Sequence, residues 1–176
     1  MSFETTNVWR QSTPELQAEL VDFWTRHGAI ADPARAALRA KQAVLVARDA
    51  DGQLVGVGTA LLRIIPRLRQ PTYYYRQFFA PEHRGNKGAV PFFQQAVGIL
   101  EAGNAEKPES LGVLLELENA ALDGRFNDAV EPRTGATFIG YSPRGFQLKV
   151  VYFKDAVLFP PAQVQRRVQA PVRRSA

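Results

Sequence analysis

The segment Arg84-Gly85-Asn86-Lys87-Gly88-Ala89 places two glycines and two cations between an aromatic run and an apolar helical pattern. Glycines at such a junction let a turn direct its backbone amides outward, and the helix behind adds the positive end of its dipole. Those groups suit phosphate oxygens, and Arg84 and Lys87 add formal charge where a diphosphate would lie. The same residues also suit a plain surface loop. A second group lies further on. Leu111, Val113, Leu115 and Leu117 recur at every second position, so Glu116 and Glu118 share the opposite strand face. Such carboxylates either take protons in a cleft or form a solvated strand face. Tyr75 is a weaker candidate for an acid or relay, and the run Tyr73-Tyr74-Tyr75 also reads as sheet packing with phenol tips in water. His27 falls at a helix end, where it could partner the dipole, and His83 beside Arg84 is expected to be exposed.

The elements that must position these groups are legible from periodicity and punctuation. Residues 3–10 form a first strand. Ser12-Thr13-Pro14-Glu15 then starts a helix, with Ser12 or Thr13 as cap and Glu15 completing a capping box with Ser12. Leu16, Leu20, Phe23 and Trp24 follow at helical spacing, and Gly28 stops the helix. Asp32-Pro33 opens a short helix to about Lys41. Strands are expected over Ala43 to Ala47 and Leu54 to Ile65, around a turn at Asp49-Ala50-Asp51-Gly52. Gly56 and Gly58 in the second of these suggest a bulge or a close backbone approach. A loop at 66–71 leads to a strand from Tyr73 to Phe79. A helix with Pro91 in its first turn runs to about Ala102, a strand covers Leu111 to Leu117, and a helix covers about Asn119 to Ala129. Ala136 to Tyr141 and Phe146 to Phe153 form a hairpin around Ser142-Pro143-Arg144-Gly145. Strands joined through helices alternate with hairpins, which gives a mixed sheet in an α+β domain.

The 176 residues, 45% apolar and 22% charged, fit one globular core. The absence of cysteine excludes disulfides and thiolate metal sites, and two histidines leave no structural zinc, so no metal is expected. There is neither an apolar stretch long enough for a bilayer nor a leader pattern, so the expectation is a cytoplasmic protein without a membrane partner. The net charge of +5 is concentrated at one end, where Arg166, Arg167, Arg173 and Arg174 follow the Pro160-Pro161 break. Residues 1–159 are therefore read as the domain and 160–176 as a basic tail. That tail is a solvated terminus or a contact for nucleic acid or an acidic partner.

In order and spacing, several segments resemble the GNAT acyltransferase superfamily. Pro81-Glu82-His83-Arg84-Gly85 is similar to the entry of that family's coenzyme A turn, and Asp51-Gly52-Gln53-Leu54-Val55-Gly56 to its second hairpin. Glu118-Asn119-Ala120-Ala121 resembles the end of its fifth strand and the start of its last helix. Gly135-Ala136-Thr137-Phe138 through Phe153 resembles its closing hairpin. The likeness spans roughly residues 3–155. It implies a GNAT-like fold, with a central mixed, mostly antiparallel sheet of about seven strands flanked by about four helices. It also implies an N-acyltransferase that moves an acyl group from acetyl-CoA or another acyl-CoA to a primary amine through a ternary complex. Coenzyme A would be held by Arg84, Gly85, Asn86, Lys87, Gly88 and Ala89, with Asn119 nearby. A backbone amide around Phe78 or Phe79 would serve the carbonyl. Glu116, Glu118 and Tyr75 are the catalytic candidates. The acceptor would be a small-molecule or protein amine, entering near His27 in the family's manner. Arg63, Arg67 and Arg69 form either a contact for an anionic acceptor or a solvated loop. An exposed strand edge or the closing hairpin offers a surface for a homodimer. Two positions depart from the family pattern: Lys87 stands where a glycine is usual, and Phe126 where many members carry a proton-donating tyrosine. They support a second reading, a non-catalytic binding or regulatory module acting through a protein or nucleic-acid partner.

Overall fold

The structure is a computed structural model that describes residues 3–84, 88–118 and 126–161. The chain runs β1 (Glu4–Asn7), α1 (Pro14–Arg26), α2 (Pro33–Ala40), β2 (Ala43–Arg48), β3 (Leu54–Ile64) and β4 (Pro71–Phe79). A short 3-10 turn (Pro81–His83) then leads to α3 (Ala89–Glu106), β5 (Gly112–Glu116), β6 (Thr137–Tyr141) and β7 (Gln147–Tyr152). The first two helices start as their sequences dictate. Thr13 caps α1 by accepting from the Leu16 amide, and Asp32 caps α2 by accepting from the Ala34 amide. The expected box between Ser12 and Glu15 does not form. With Thr13 as cap, the third helical position belongs to Leu16, and Ser12 instead donates to the Ala40 carbonyl, tying the start of α1 to the end of α2. α3 continues past Ala102 to Glu106, and within that stretch Gly103 packs under Trp9, where an added Cβ would lie 3.1 Å from the indole nitrogen. Of the helix expected over 119–129, residues 119–125 lie outside the described residues, and 126–129 are not helical.

All seven strands join one sheet in the order β1-β2-β3-β4-β5-β7-β6. Every neighbouring pair is antiparallel except β4 with β5, which α3 connects as a crossover. Helices α1 and α2 cover one face, where Leu20, Phe23, Trp24, Ala36 and Ala40 pack on Val46 and Val57. α3 covers the other, with Phe92, Phe93, Ala96 and Leu100 against Tyr73, Tyr75, Phe79 and Val113. Because side chains alternate along β4, Tyr74 points away from α3 and joins Leu114, Leu148 and Val150. The close approach expected at Gly56 and Gly58 is made by aromatic side chains. A Cβ on Gly56 would meet the Phe79 ring at 2.5 Å, and one on Gly58 the Tyr75 hydroxyl at 2.3 Å. The segment after β7 is tied back by Gln70, whose side-chain amide donates to the Phe159 carbonyl and accepts from its amide, each at 2.9 Å. The arginines of the tail lie outside the described residues, among which no helix is long and apolar enough to cross a membrane.

β5 meets β7 most tightly at Gly112, where an added Cβ would lie 2.1 Å from the Val151 carbonyl oxygen. That atom is backbone and cannot swing aside. Gly112→Ala is expected to lower the unfolding free energy by about 1–3 kcal/mol. Gly98→Ala, inside α3 with open space around it, is expected to raise it by roughly 0.5–1 kcal/mol. Urea unfolding of the two variants checks both signs.

Candidate functional site

β4 and β5 pair only at Tyr73–Val113, Tyr74–Leu114 and Tyr75–Leu115. Beyond that point β4 stays with β3 as far as Phe79, while β5 follows β7 to Glu116. A cleft of about 730 Å³ opens where they part and is lined from both faces of the sheet. Its backbone chemistry follows from the ladder. The Ala80 amide donates to Val55 on β3, so by alternation the amides of Gln77 and Phe79 face the opening, and that of Phe78 faces β3. Phe79 is thus the one of the two expected positions that offers its amide, whereas Phe78 contributes a ring, packed on Phe23 at 5.5 Å.

On the α3 side the cleft reaches Ala89, Val90 and Phe93 at the helix start, with His83 and Arg84 beside them. Gly88 precedes the helix without a side-chain cap, leaving first-turn amides for another partner. Its lack of a side chain has a packing cause, since a Cβ there would lie 2.6 Å from the Phe3 ring. Arg84 turns back on β4. Its Nε donates to the Phe79 carbonyl at 2.9 Å and its guanidinium lies 5.0 Å from the centre of the Phe78 ring. His83 is half-buried rather than exposed, and its Nδ1 is buried without a partner among the described residues. Gly85, Asn86, Lys87 and Asn119 lie outside the described residues. Lys149 lines this side at 1% exposure, its ammonium donating to the carbonyls of Phe126 (2.6 Å) and Asp128 (2.7 Å). Phe126 also lines the cleft.

On the α2 side both strand carboxylates enter the cleft, together with a cation that sequence reasoning missed. Arg144, at the tip of the β6–β7 hairpin, reaches Glu116 at 2.8 Å and Glu118 at 2.5 Å. The Glu116 side chain is 8% exposed, so it is not on a solvated face; Glu118 is 44% exposed. Burial pushes the Glu116 carboxyl up, but hydrogen bonds from Arg144, Ser142 and Tyr74 outweigh it and leave the group below the usual carboxylate range. Glu116 is therefore a weak proton acceptor while Arg144 holds it. The tyrosine tips are not in water. The Tyr73 hydroxyl donates to Glu109 at 2.7 Å and that of Tyr74 to Glu116. Tyr75 is fully enclosed, its hydroxyl 3.3 Å from Gln77 Oε1, and burial raises its phenol far above the ordinary value. Arg35, Arg39 and Arg76 complete this wall. Burial, and next Arg76, lower the Arg39 guanidinium to about 10. Arg35 and Arg39 are four apart on one helix face, a spacing visible in the sequence. Arg63 and Arg67 are directed elsewhere, over the Tyr74 ring and to the Ile139 carbonyl. His27 packs its ring on Phe23 and Phe78.

The fold is that of GNAT acetyltransferases of solved structure. A GNAT-family acetyltransferase from Streptococcus pneumoniae superposes with a TM-score of 0.54 at 13% identity, over 87% of this chain and 100% of that one. A GNAT-superfamily phosphinothricin acetyltransferase from Sinorhizobium meliloti, in complex with AcCoA, gives 0.50 at 16% identity over 85% and 86%. A bacterial toxin gives 0.57 at 13% identity over 86% and 90%. No protein-family model and no curated protein matches the chain.

The carboxyl of Glu116 titrates below 4.5 in the folded chain and near 4.5 in the unfolded one. Its contribution to stability is complete above that unfolded value and disappears as the pH falls through the folded one. Thermal unfolding followed from about pH 7 to about pH 3 is expected to show an acid-side loss of stability that Glu116→Gln reduces. An unchanged slope in the variant counts against the Arg144–Glu116 contact.

Proposed function

We propose that the chain is an N-acyltransferase that moves an acyl group from acetyl-CoA or another acyl-CoA to a primary amine in a ternary complex. The observation that carries this reading is the parting of β4 from β5 at the amino end of α3. The inward amides of Gln77 and Phe79 suit an extended amide-bearing arm lying along β4 as if it were the missing strand. The first turn of α3 suits a diphosphate, with Arg84 able to rotate toward it. An acyl donor would thus occupy the α3 side, and the acceptor would reach the reacting carbon from the α2 side.

Bound acyl-CoA would supply a thioester carbon open to an amine and a thiolate that leaves. The remaining steps fall to the chain. The Phe79 amide would stabilise the tetrahedral oxyanion formed when the amine nitrogen bonds to that carbon. Glu118, nearer solvent than Glu116, would take the ammonium proton through water. With Phe126 in the cleft and Tyr75 enclosed, the departing thiolate would be protonated by water. The alternative, a binding module without turnover, is favoured by the hold of Arg144 on both carboxylates and by the ring of Phe126, which has no proton to give.

Calorimetric titration with acetyl-CoA, free coenzyme A and a longer acyl-CoA is expected to show binding, and Ala89→Asp to weaken it by roughly tenfold or more through repulsion of the diphosphate. An acidic residue in the first turn favours the helix itself, so the variant should unfold no earlier than the parent. No binding of any of the three at millimolar concentration sinks the proposal. Binding without thiol release, across a panel of amines, favours the module.

A further inference from the structure

Charges on the α2 side of the cleft are sorted rather than cancelled. Arg39 donates through Nε to the Thr59 hydroxyl at 3.2 Å and its guanidinium lies 5.9 Å from the centre of the Trp24 ring, with no carboxylate among the described residues paired to its terminal nitrogens. Arg76 lies beside it. One Arg76 terminal nitrogen donates to the Tyr74 hydroxyl at 3.1 Å and stands 3.8 Å from Glu118, while its Nε is buried without a partner. Arg35, Arg39 and Arg76 also share a smaller hollow with Ile30 and Leu61, next to the main cleft. Guanidinium groups gathered this way repel one another, and among the described residues Arg76 alone of the three has a carboxylate within ion-pair reach, Glu118. At the other end of the same wall, Glu116 Oε1 is buried without a hydrogen-bond partner among the described residues, while Oε2 receives Arg144 and Tyr74. The Tyr74 hydroxyl stands between the two halves, accepting from Arg76 and donating to Glu116. The wall is therefore dipolar, with unpartnered donors at the α2 end and an unpartnered carboxylate oxygen at the β5 end.

We propose that the acyl acceptor is a zwitterion, a free α-amino acid whose carboxylate is held by Arg39 and Arg76 and whose amine faces Glu116 and Glu118. The proposal rests on the acyltransferase reading and names its acceptor class. A planar carboxylate matches the fork of a guanidinium and would relieve the repulsion between Arg39 and Arg76. The same ligand's ammonium group would meet Glu116 Oε1 beside the gap between β4 and β5, where a thioester carbon would lie. A polyamine or a peptide amino terminus has no adjacent carboxylate and would leave the arginines as they are.

The test is calorimetry on the intact chain, saturated with coenzyme A, using the proteinogenic L-α-amino acids and, for each, its carboxamide. At least one amino acid is expected to bind, with its carboxamide roughly tenfold to a hundredfold weaker. Arg39→Gln should abolish that preference, and Arg39→Lys, which keeps the charge without the fork, should retain part of it. Both variants should remain folded at the assay temperature and keep the acetyl-CoA affinity of the parent. If no amino acid binds, if the carboxamide binds as well, or if Arg39→Gln keeps the preference, the proposal is overturned. Absence of acetyl-CoA binding overturns the acyltransferase reading instead, and the amino-acid result stands apart from it.

Discussion

The site depends on one parallel strand pair that cannot stay paired. Parallel neighbours need a long crossover, and α3 provides it by starting just past the end of β4 and returning to the start of β5. β4 is committed to β3 along its whole length, through Gly56, Gly58 and the aromatic rings they accommodate. β5 is committed to β7, and Gly112 lets the two backbones close to a distance that a side chain would forbid. Since the outer partners diverge, β4 and β5 separate after three paired positions. Backbone groups that a continuous sheet would consume are left facing a gap, at the carboxyl ends of both strands and at the amino end of a long helix. Open sheets bind ligands at such places because the topology leaves polar groups there without partners.

The two faces of the gap then acquire different chemistry from the elements that cover them. α3 presents dipole and amides on one side, and α2 presents Arg35 and Arg39 on the other. Buried charges on each face are held by specific partners, which also fixes the loops. Glu116 is paired with Arg144 and so draws in the tip of the β6–β7 hairpin. Lys149 pairs with no carboxylate among the described residues and donates instead to the carbonyls of Phe126 and Asp128, which pins the segment before β6. A buried ammonium held by fixed carbonyls is costly to strand, so that segment cannot swing away without exposing or orphaning the group.

Most of the fold was legible in the sequence because its signals are local. Caps, prolines and period-two alternation placed the strands and the three described helices to within a few residues, and the segment likeness gave the mixed sheet. The site was legible only in part. Alternation put Glu116 and Glu118 together on one face, and both line the cleft, as do Arg84 and Ala89. What the sequence could not give was contact across distance. Nothing near Glu116 in the chain announces Arg144, 28 positions on by the numbering, and nothing in Tyr74 announces its hydrogen bond to Glu116. The cations of the cleft wall were missed for the same reason. Arg63, Arg67 and Arg69 are dense in sequence, whereas Arg39 and Arg76 converge only because α2 packs across the face that carries Tyr74, Arg76 and Phe78.

Arg84 and Gly88 owe their places beside the cleft to separate causes. Gly88 is small because Phe3 occupies the space a side chain would need, and Arg84 is drawn inward by the Phe79 carbonyl and the Phe78 ring. Neither residue type is therefore by itself a mark of phosphate. The feature that no contact among the described residues explains is the first turn of α3, whose N-cap Gly88 provides no side-chain cap although the turn borders the cleft. An uncapped start is a cost to an 18-residue helix unless water or a ligand meets its amides. Under the proposed function, anion recognition would rest chiefly on that fixed backbone, and Arg84 would exchange one carbonyl for the donor's phosphate oxygens. A side chain that leaves the Phe79 carbonyl on ligand binding would also free that edge of β4, coupling occupation of the diphosphate site to opening of the strand along which the acyl arm lies.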